Sequence, residues 1–219
     1  MLRFHRQFLK VLGLGIFVWM SVSSSYASTI LFANLTNAQE APPTNPTTST
    51  GAPRPASFGT ATFVLNDAQT AMTFTATVFN IDFTGSQTAD VNDNLTVAHI
   101  HASATANLTT TAPVVWGFFG TPFNDNNPND MTITPFATGV GGTVTGKWDA
   151  PEGNGTTLAA QLANILSGHA YINFHTTQFG GGEIRGFLVT PEPSSAVLIV
   201  AAFGVFALYL RRSRNARVL

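Results

Sequence analysis

The chain contains no cysteine, which excludes a disulfide framework, a thiol nucleophile and any thiolate metal site. Stability has to come from packing, and any metal has to be held by imidazole or oxygen ligands. Charge is also scarce, at 10% of 219 residues, and the net formal charge is −1. Seven of the ten basic residues (Arg3, Arg6, Lys10, Arg211, Arg212, Arg214, Arg217) lie in the terminal segments. Between Ser28 and Thr190 only Arg54, Lys147 and Arg185 stand against ten acidic residues. So acidic a central region excludes nucleic acid as a partner, because phosphate contacts need a basic surface. No serine sits in a Gly-x-Ser-x-Gly elbow, and the acids cluster in turn-like segments and not as a paired-carboxylate site. No internal repeat of useful length is present. With 44% hydrophobic residues, the length fits one core and one domain.

The two ends read as addresses. Arg3, Arg6 and Lys10 precede an apolar run, Val11 to Met20, and Ser25-Tyr26-Ala27 places small residues at the positions a signal peptidase reads. Residues 1–27 are therefore expected to be a signal peptide cut between Ala27 and Ser28. The apolar run is too short to span a hydrocarbon core of about 30 Å, which takes roughly 20 residues. At the other end Pro191-Glu192-Pro193 interrupts regular structure, Ala196 to Leu210 carries no charge, and Arg211, Arg212, Arg214 and Arg217 follow. Residues 190–219 are expected to form a sorting segment with a transmembrane helix over 196–210. The arginines would stay cytoplasmic, leaving residues 28 to 190 outside the inner membrane.

This order of tripeptide, apolar segment and arginine cluster resembles the PEP-CTERM sorting signal, with Thr190 where valine is common. The resemblance implies processing by an exosortase. It implies an inner-membrane anchor before cutting, then residence at the cell surface, the outer membrane or the extracellular matrix, with extracellular polysaccharide as a candidate partner. Without a cysteine, lipoprotein anchoring is excluded.

Residues 28–189 read as an antiparallel β domain. In Met72 to Val78 every second residue is apolar and threonines fill the gaps, the pattern of a half-buried strand. Phe58 to Asn66 pairs with it as a hairpin across Asn66-Asp67-Ala68-Gln69. Further strands are predicted at Ile30 to Leu35, Leu95 to Ala102, Val114 to Phe119, Thr143 to Trp148, Ala170 to Phe174 and Ile184 to Val189. Eight strands suggest an all-β sandwich, immunoglobulin-like or barrel-like. Leu158, Leu162, Ile165 and Leu166 recur at helical spacing, with threonine to cap the start and Gly168 to end one short helix. Ala41 to Pro55 and Thr121 to Asp130 are expected to be loops.

Histidine is the main chemical signal. His99 and His101 share a strand face, as do His169 and His175. Converging imidazoles suit Zn, Cu, Fe or Ni, so His99, His101 and His175, with His169 as a fourth ligand, form a candidate metal set, and nearby Asp or Glu would orient the rings. The run Asn173 to Gly186 reads as two strands joined by Gly180-Gly181-Gly182, with Glu183 and Arg185 on one strand face. Ala98-His99-Ile100-His101, Pro113-Val114-Val115, Gly168 to Thr176 and Gly182-Glu183-Ile184-Arg185-Gly186 together resemble the CHRD domain, in its order, over about Thr29 to Val189. Here Gly180 stands where proline is usual. The resemblance implies an all-β fold in a family without an established enzymatic activity. A looser likeness, of a few residues, is to copper-zinc superoxide dismutase.

These observations lead to two expectations. The first is an exported non-enzymatic surface or matrix protein whose β domain binds or scaffolds, with Trp116, Trp148, Phe118 and Phe119 as candidate exposed aromatics. The second is a histidine-based metal-binding or oxidoreductase-like domain.

Overall fold

The two-residue apolar period is realised as nine strands in the computed structural model, which describes residues 28–191. They are β1 (Thr29–Thr36), β2 (Phe58–Leu65), β3 (Ala71–Phe79), β4 (Leu95–Ala102), β5 (Val114–Phe119), β6 (Thr132–Pro135), β7 (Gly141–Asp149), β8 (Ala170–Thr176) and β9 (Ile184–Phe187). All eight expected strands are present. The addition is β6, whose four residues hold one half-buried apolar side chain, Ile133, too little for a periodic signal. The expected signal peptide, Glu192, Pro193, the expected span 196–210 and the terminal arginines lie outside the described residues. Among the described residues no helix is long and apolar enough to cross a membrane.

All strands belong to one antiparallel sheet in the order β5-β4-β8-β9-β1-β2-β3-β7-β6. Strands far apart in that order nevertheless touch. Trp116 of β5 stacks on Trp148 of β7 with ring centroids 5.6 Å apart, and Phe74 of β3 lies 4.8 Å from Phe118 of β5. The sheet therefore curls over its own core, and the two layers of the expected sandwich are the two halves of one sheet.

The hairpin β2–β3 shows how local sequence sets this up. Ala61, Phe63 and Leu65 are buried while Thr60, Thr62 and Val64 face outward. Asn66 Oδ1 accepts the Thr70 N–H at 2.8 Å, and Gln69 takes φ 56° to close the turn. The helix α1 (Leu158–Leu166) begins where Thr157 accepts the Ala160 N–H and ends before Gly168, whose φ of +77° is left-handed. Its Leu158 and Ile165 are buried.

Three of the four candidate exposed aromatics are core residues, the commoner place for an aromatic side chain on a strand. Trp116, Trp148 and Phe118 are fully buried and Phe119 is half-buried. The indoles are tolerated inside because Glu152 satisfies both: Trp116 Nε1 donates to Glu152 Oε2 at 3.2 Å, and Trp148 Nε1 donates to the Glu152 carbonyl at 2.8 Å.

Burial is uneven across the sheet. On β1 to β3 it alternates, so one face is open. On β8 all seven residues are buried, and on β4 everything from Ala98 to Ala102 is, so loops cover the outer face there. The histidines lie on that covered face.

Candidate metal centre

On β4, Ala98, Ile100 and Ala102 belong to the core, which turns His99 and His101 to the opposite face. On β8, Ile172 and Phe174 point inward and Tyr171, Asn173 and His175 point out. The register pairs His101 with Tyr171, His99 with Asn173 and Val97 with His175, so His175 is diagonal to His99 across the strand pair. Ring centroids are 5.1 Å apart for His99–His175, 5.7 Å for His99–His101 and 6.0 Å for His101–His175. One nitrogen from each ring lies within 4.8 Å of the others. A point between them is thus within about 2.8 Å of each, under an ångström from the about 2.0–2.1 Å of a zinc–imidazole bond.

Each ring is oriented by a backbone carbonyl. His99 Nε2–H donates to Thr121 O at 3.2 Å, His101 Nδ1–H to Ala112 O at 2.8 Å and His175 Nδ1–H to Gly180 O at 3.0 Å. These bonds fix the tautomers, because a carbonyl can only accept. The remaining nitrogens, His99 Nδ1, His101 Nε2 and His175 Nε2, are buried lone pairs with no hydrogen-bond partner. An unsatisfied buried acceptor calls for an explanation, and a cation shared by the three provides one. The carboxylates expected to orient the rings do not do so. Carbonyls from three loops take that role, and a neutral outer shell leaves the charge of a bound cation uncompensated by it.

Local sequence explains the loops. A Cβ on Gly117 would sit 1.8 Å from Pro122 O and 3.2 Å from His99 Cδ2, so only glycine lets the Thr121-Pro122 segment lie over β5 and hold His99. Ala112 holds two site residues, since its N–H also donates to Tyr171 Oη at 3.0 Å, and the Tyr171 ring stacks on His101 at 4.9 Å. Burial pushes His99 down to about 4, helped by the neighbouring His175. Burial likewise pushes His101 down to about 4, against its bond to Ala112, and lowers His175. The three rings are accordingly neutral at pH 7, as ligation requires.

His169 is not the fourth ligand. It precedes β8, and six residues of extended chain put it about 20 Å from His175; its Nδ1–H donates to Ala106 O at 2.9 Å. Glu183 and Arg185 do not pair with each other or with His175. Glu183, fully buried, accepts from Arg54, Ser57 and Thr176. Arg185, also fully buried, donates to the carbonyls of Gln39, Thr110, Asn107 and Leu108 and so secures the loop that ends in Ala112. Two polar residues beside the centre carried no sequence signal. Asn173 Oδ1 and Glu40 Oε1 are buried without partners, and both approach Gly182, where a Cβ would lie 2.8 Å and 2.7 Å from them. Burial raises Glu40 to about 7, opposed by the Arg185 charge.

No curated protein and no solved structure matches the chain. A family model does, the CHRD domain, over residues 31–188. That span runs from within β1 to just past β9 and takes in all three converging histidines, so the chain belongs to the CHRD domain family.

Proposed function

We propose that this chain is an exported metal-binding module in which His99, His101 and His175 hold one transition-metal ion. The observation that carries the reading is the set of three buried imidazoles that bring one nitrogen each within 4.8 Å of the others, each ring also keeping one buried nitrogen without a partner. Three neutral imidazoles with neither thiolate nor carboxylate suit Zn, Cu, Ni or Fe and not Ca or Mg. Three protein ligands are also the number found where a fourth position is left for water or a small ligand. Such an ion, when bound, supplies Lewis acidity or, if copper or iron, a redox couple. The chain's own part is to keep the rings neutral, fix their tautomers and exclude bulk water.

Delivery outside the inner membrane is supported by the charged and apolar pattern of residues 1–27 and by the likeness of residues 190–219 to an exosortase signal. In this reading the tail places a binding module, with no catalytic role assigned to it, at the cell surface or in the matrix. Elemental analysis of the purified full chain tests the metal: one equivalent per chain is expected, and it should be lost in His99→Gln. Purified and reconstituted protein with no stoichiometric Zn, Cu, Ni or Fe would overturn the assignment. Intact mass in cells with and without an exosortase tests the tail, and an identical mass in both rejects it.

A further inference from the structure

The open half of the sheet carries a second feature, independent of the histidines. Threonine occupies alternate outward positions on four adjacent strands: Thr60 and Thr62 on β2, Thr75 and Thr77 on β3, Thr143 and Thr145 on β7, Thr132 and Thr134 on β6. Alternation puts each pair on one face of its own strand, but only the register decides whether the pairs line up. They do. Thr60, Thr77, Thr143 and Thr134 are successive cross-strand partners, and so are Thr62, Thr75, Thr145 and Thr132. At about 4.8 Å between strands and about 6.8 Å between alternate residues, this is a grid of eight hydroxyls in two rows. None of the eight is buried. One bond, Thr77 to Thr143 at 3.4 Å, joins two of them, so the hydroxyls are available to a ligand.

Aromatic rings border the grid. Phe58 and Phe79 stack at 4.8 Å at one end, and Phe32 continues the second row beyond Thr62. All three are exposed, Phe58 by 48% and Phe32 by 44%. Threonine's β-propensity explains threonine on a strand, but it does not explain large rings left in water beside it. Charge narrows the partner. The eight positions carry none, and Lys147 at the border is tied to Asp130 and Asp149. Elsewhere the described domain is rich in acid, which repels polyanions. A neutral face on an acidic domain is complementary to a neutral partner. Four strands of a sheet also twist by about 20–25° at each step, so the face suits a flexible polymer better than a planar crystal lattice.

We propose that this threonine face docks an uncharged polysaccharide chain, whose hydroxyls bond to the threonine rows and whose C–H faces pack on Phe32, Phe58 and Phe79. The test uses the full chain in a detergent without a sugar headgroup, with amorphous swollen cellulose, colloidal chitin and cross-linked dextran as neutral probes and alginate as the anionic one. Retention is expected on at least one neutral probe and not on alginate. The variant Thr62→Val/Thr75→Val/Thr145→Val, which keeps the branched shape and should keep the melting temperature, is expected to bind about tenfold more weakly or worse. Should that variant melt early, the exposed Phe32→Ser and Phe58→Ser carry the same test. Retention should be the same for zinc-loaded and chelator-treated protein, which separates this face from the metal centre. The proposal is overturned by no retention on any neutral probe, by retention the variants do not weaken, or by equal retention on alginate. Self-association through this face, or inhibition of ice growth without glycan binding, would assign it to another partner and overturn it too.

Discussion

Without the proposed cation, as after treatment with a chelator, the fold is left holding three buried acceptor nitrogens with nothing to accept from. Each such group costs about 1–3 kcal/mol of desolvation, a burden that binding relieves. With free metal at about 100 to 1,000 times its dissociation constant, the folded state gains about 2.7–4.1 kcal/mol. For a domain of this size each kcal/mol moves the melting temperature by about 2–4 °C, so calorimetry should show zinc or copper raising it by about 5–16 °C over the chelated protein at pH 7. At pH 4 the gain should shrink, because His99 and His101 are pushed to about 4 and protons then compete for the same nitrogens. His101→Gln should abolish the gain. His169→Ala should preserve it, since that ring is bonded to Ala106 O and lies off the centre. Equal melting with and without metal, or a gain that survives His101→Gln, would refute the reasoning.

Other perturbations give equally definite outcomes. In the metal-free protein the unfolded chain takes up protons on His99 and His101 near 6.5, whereas the fold refuses them until about 4, so stability falls as pH drops through that window, by up to about 1.4 kcal/mol per pH unit per ring. Glu40 acts with the opposite sign. The fold keeps it protonated to about 7 and the unfolded chain only to its ordinary 4.5, so stability falls as pH rises between those values. Urea midpoints of metal-free Glu40→Gln should therefore climb more steeply than wild type between pH 5 and 7 and exceed it at pH 8; parallel curves would remove Glu40 from this account. Arg54→Ala leaves the fully buried Glu183 without its ion-pair partner and should cost about 3–5 kcal/mol, read as a lower urea midpoint at unchanged slope. Gly182→Ala forces a left-handed φ of +123° and a Cβ 2.5 Å from Asn173 Nδ2, and it should cost about 1–3 kcal/mol. A stability equal to wild type would show that this turn relaxes freely.

The functional consequence of the fold is a division between its two halves. Where β4 and β8 are buried on both faces, the outer face is dry and holds imidazoles in fixed tautomers. Where β2, β3, β7 and β6 are covered on one face only, the outer face is wet and presents hydroxyls. One curled sheet thus offers two chemically distinct surfaces, and either can be altered without touching the other.

The sequence by itself determined eight of the nine strands, the short helix with its threonine cap and glycine stop, and the fact that His99 and His101 share a face. Each rests on chain-local physics, either the two-residue period of a pleated strand or the backbone preference of a single residue. The sequence also brought His175 into the candidate set, but it could not say that His175 meets His99 while His169 does not. That depends on the register of β4 against β8, and a slip of one residue would have turned every ring to the other side. Tertiary structure alone decided which atoms orient the rings, because Thr121, Ala112 and Gly180 contribute only main-chain carbonyls that any residue carries. It also decided that Trp116 and Trp148 are core, since their burial follows from the curl that brings β5 over β7. The same holds for the threonine grid: the Thr-x-Thr pairs of β2, β3 and β7 lie on expected strands, but β6 and the register that aligns all four strands came only from the fold.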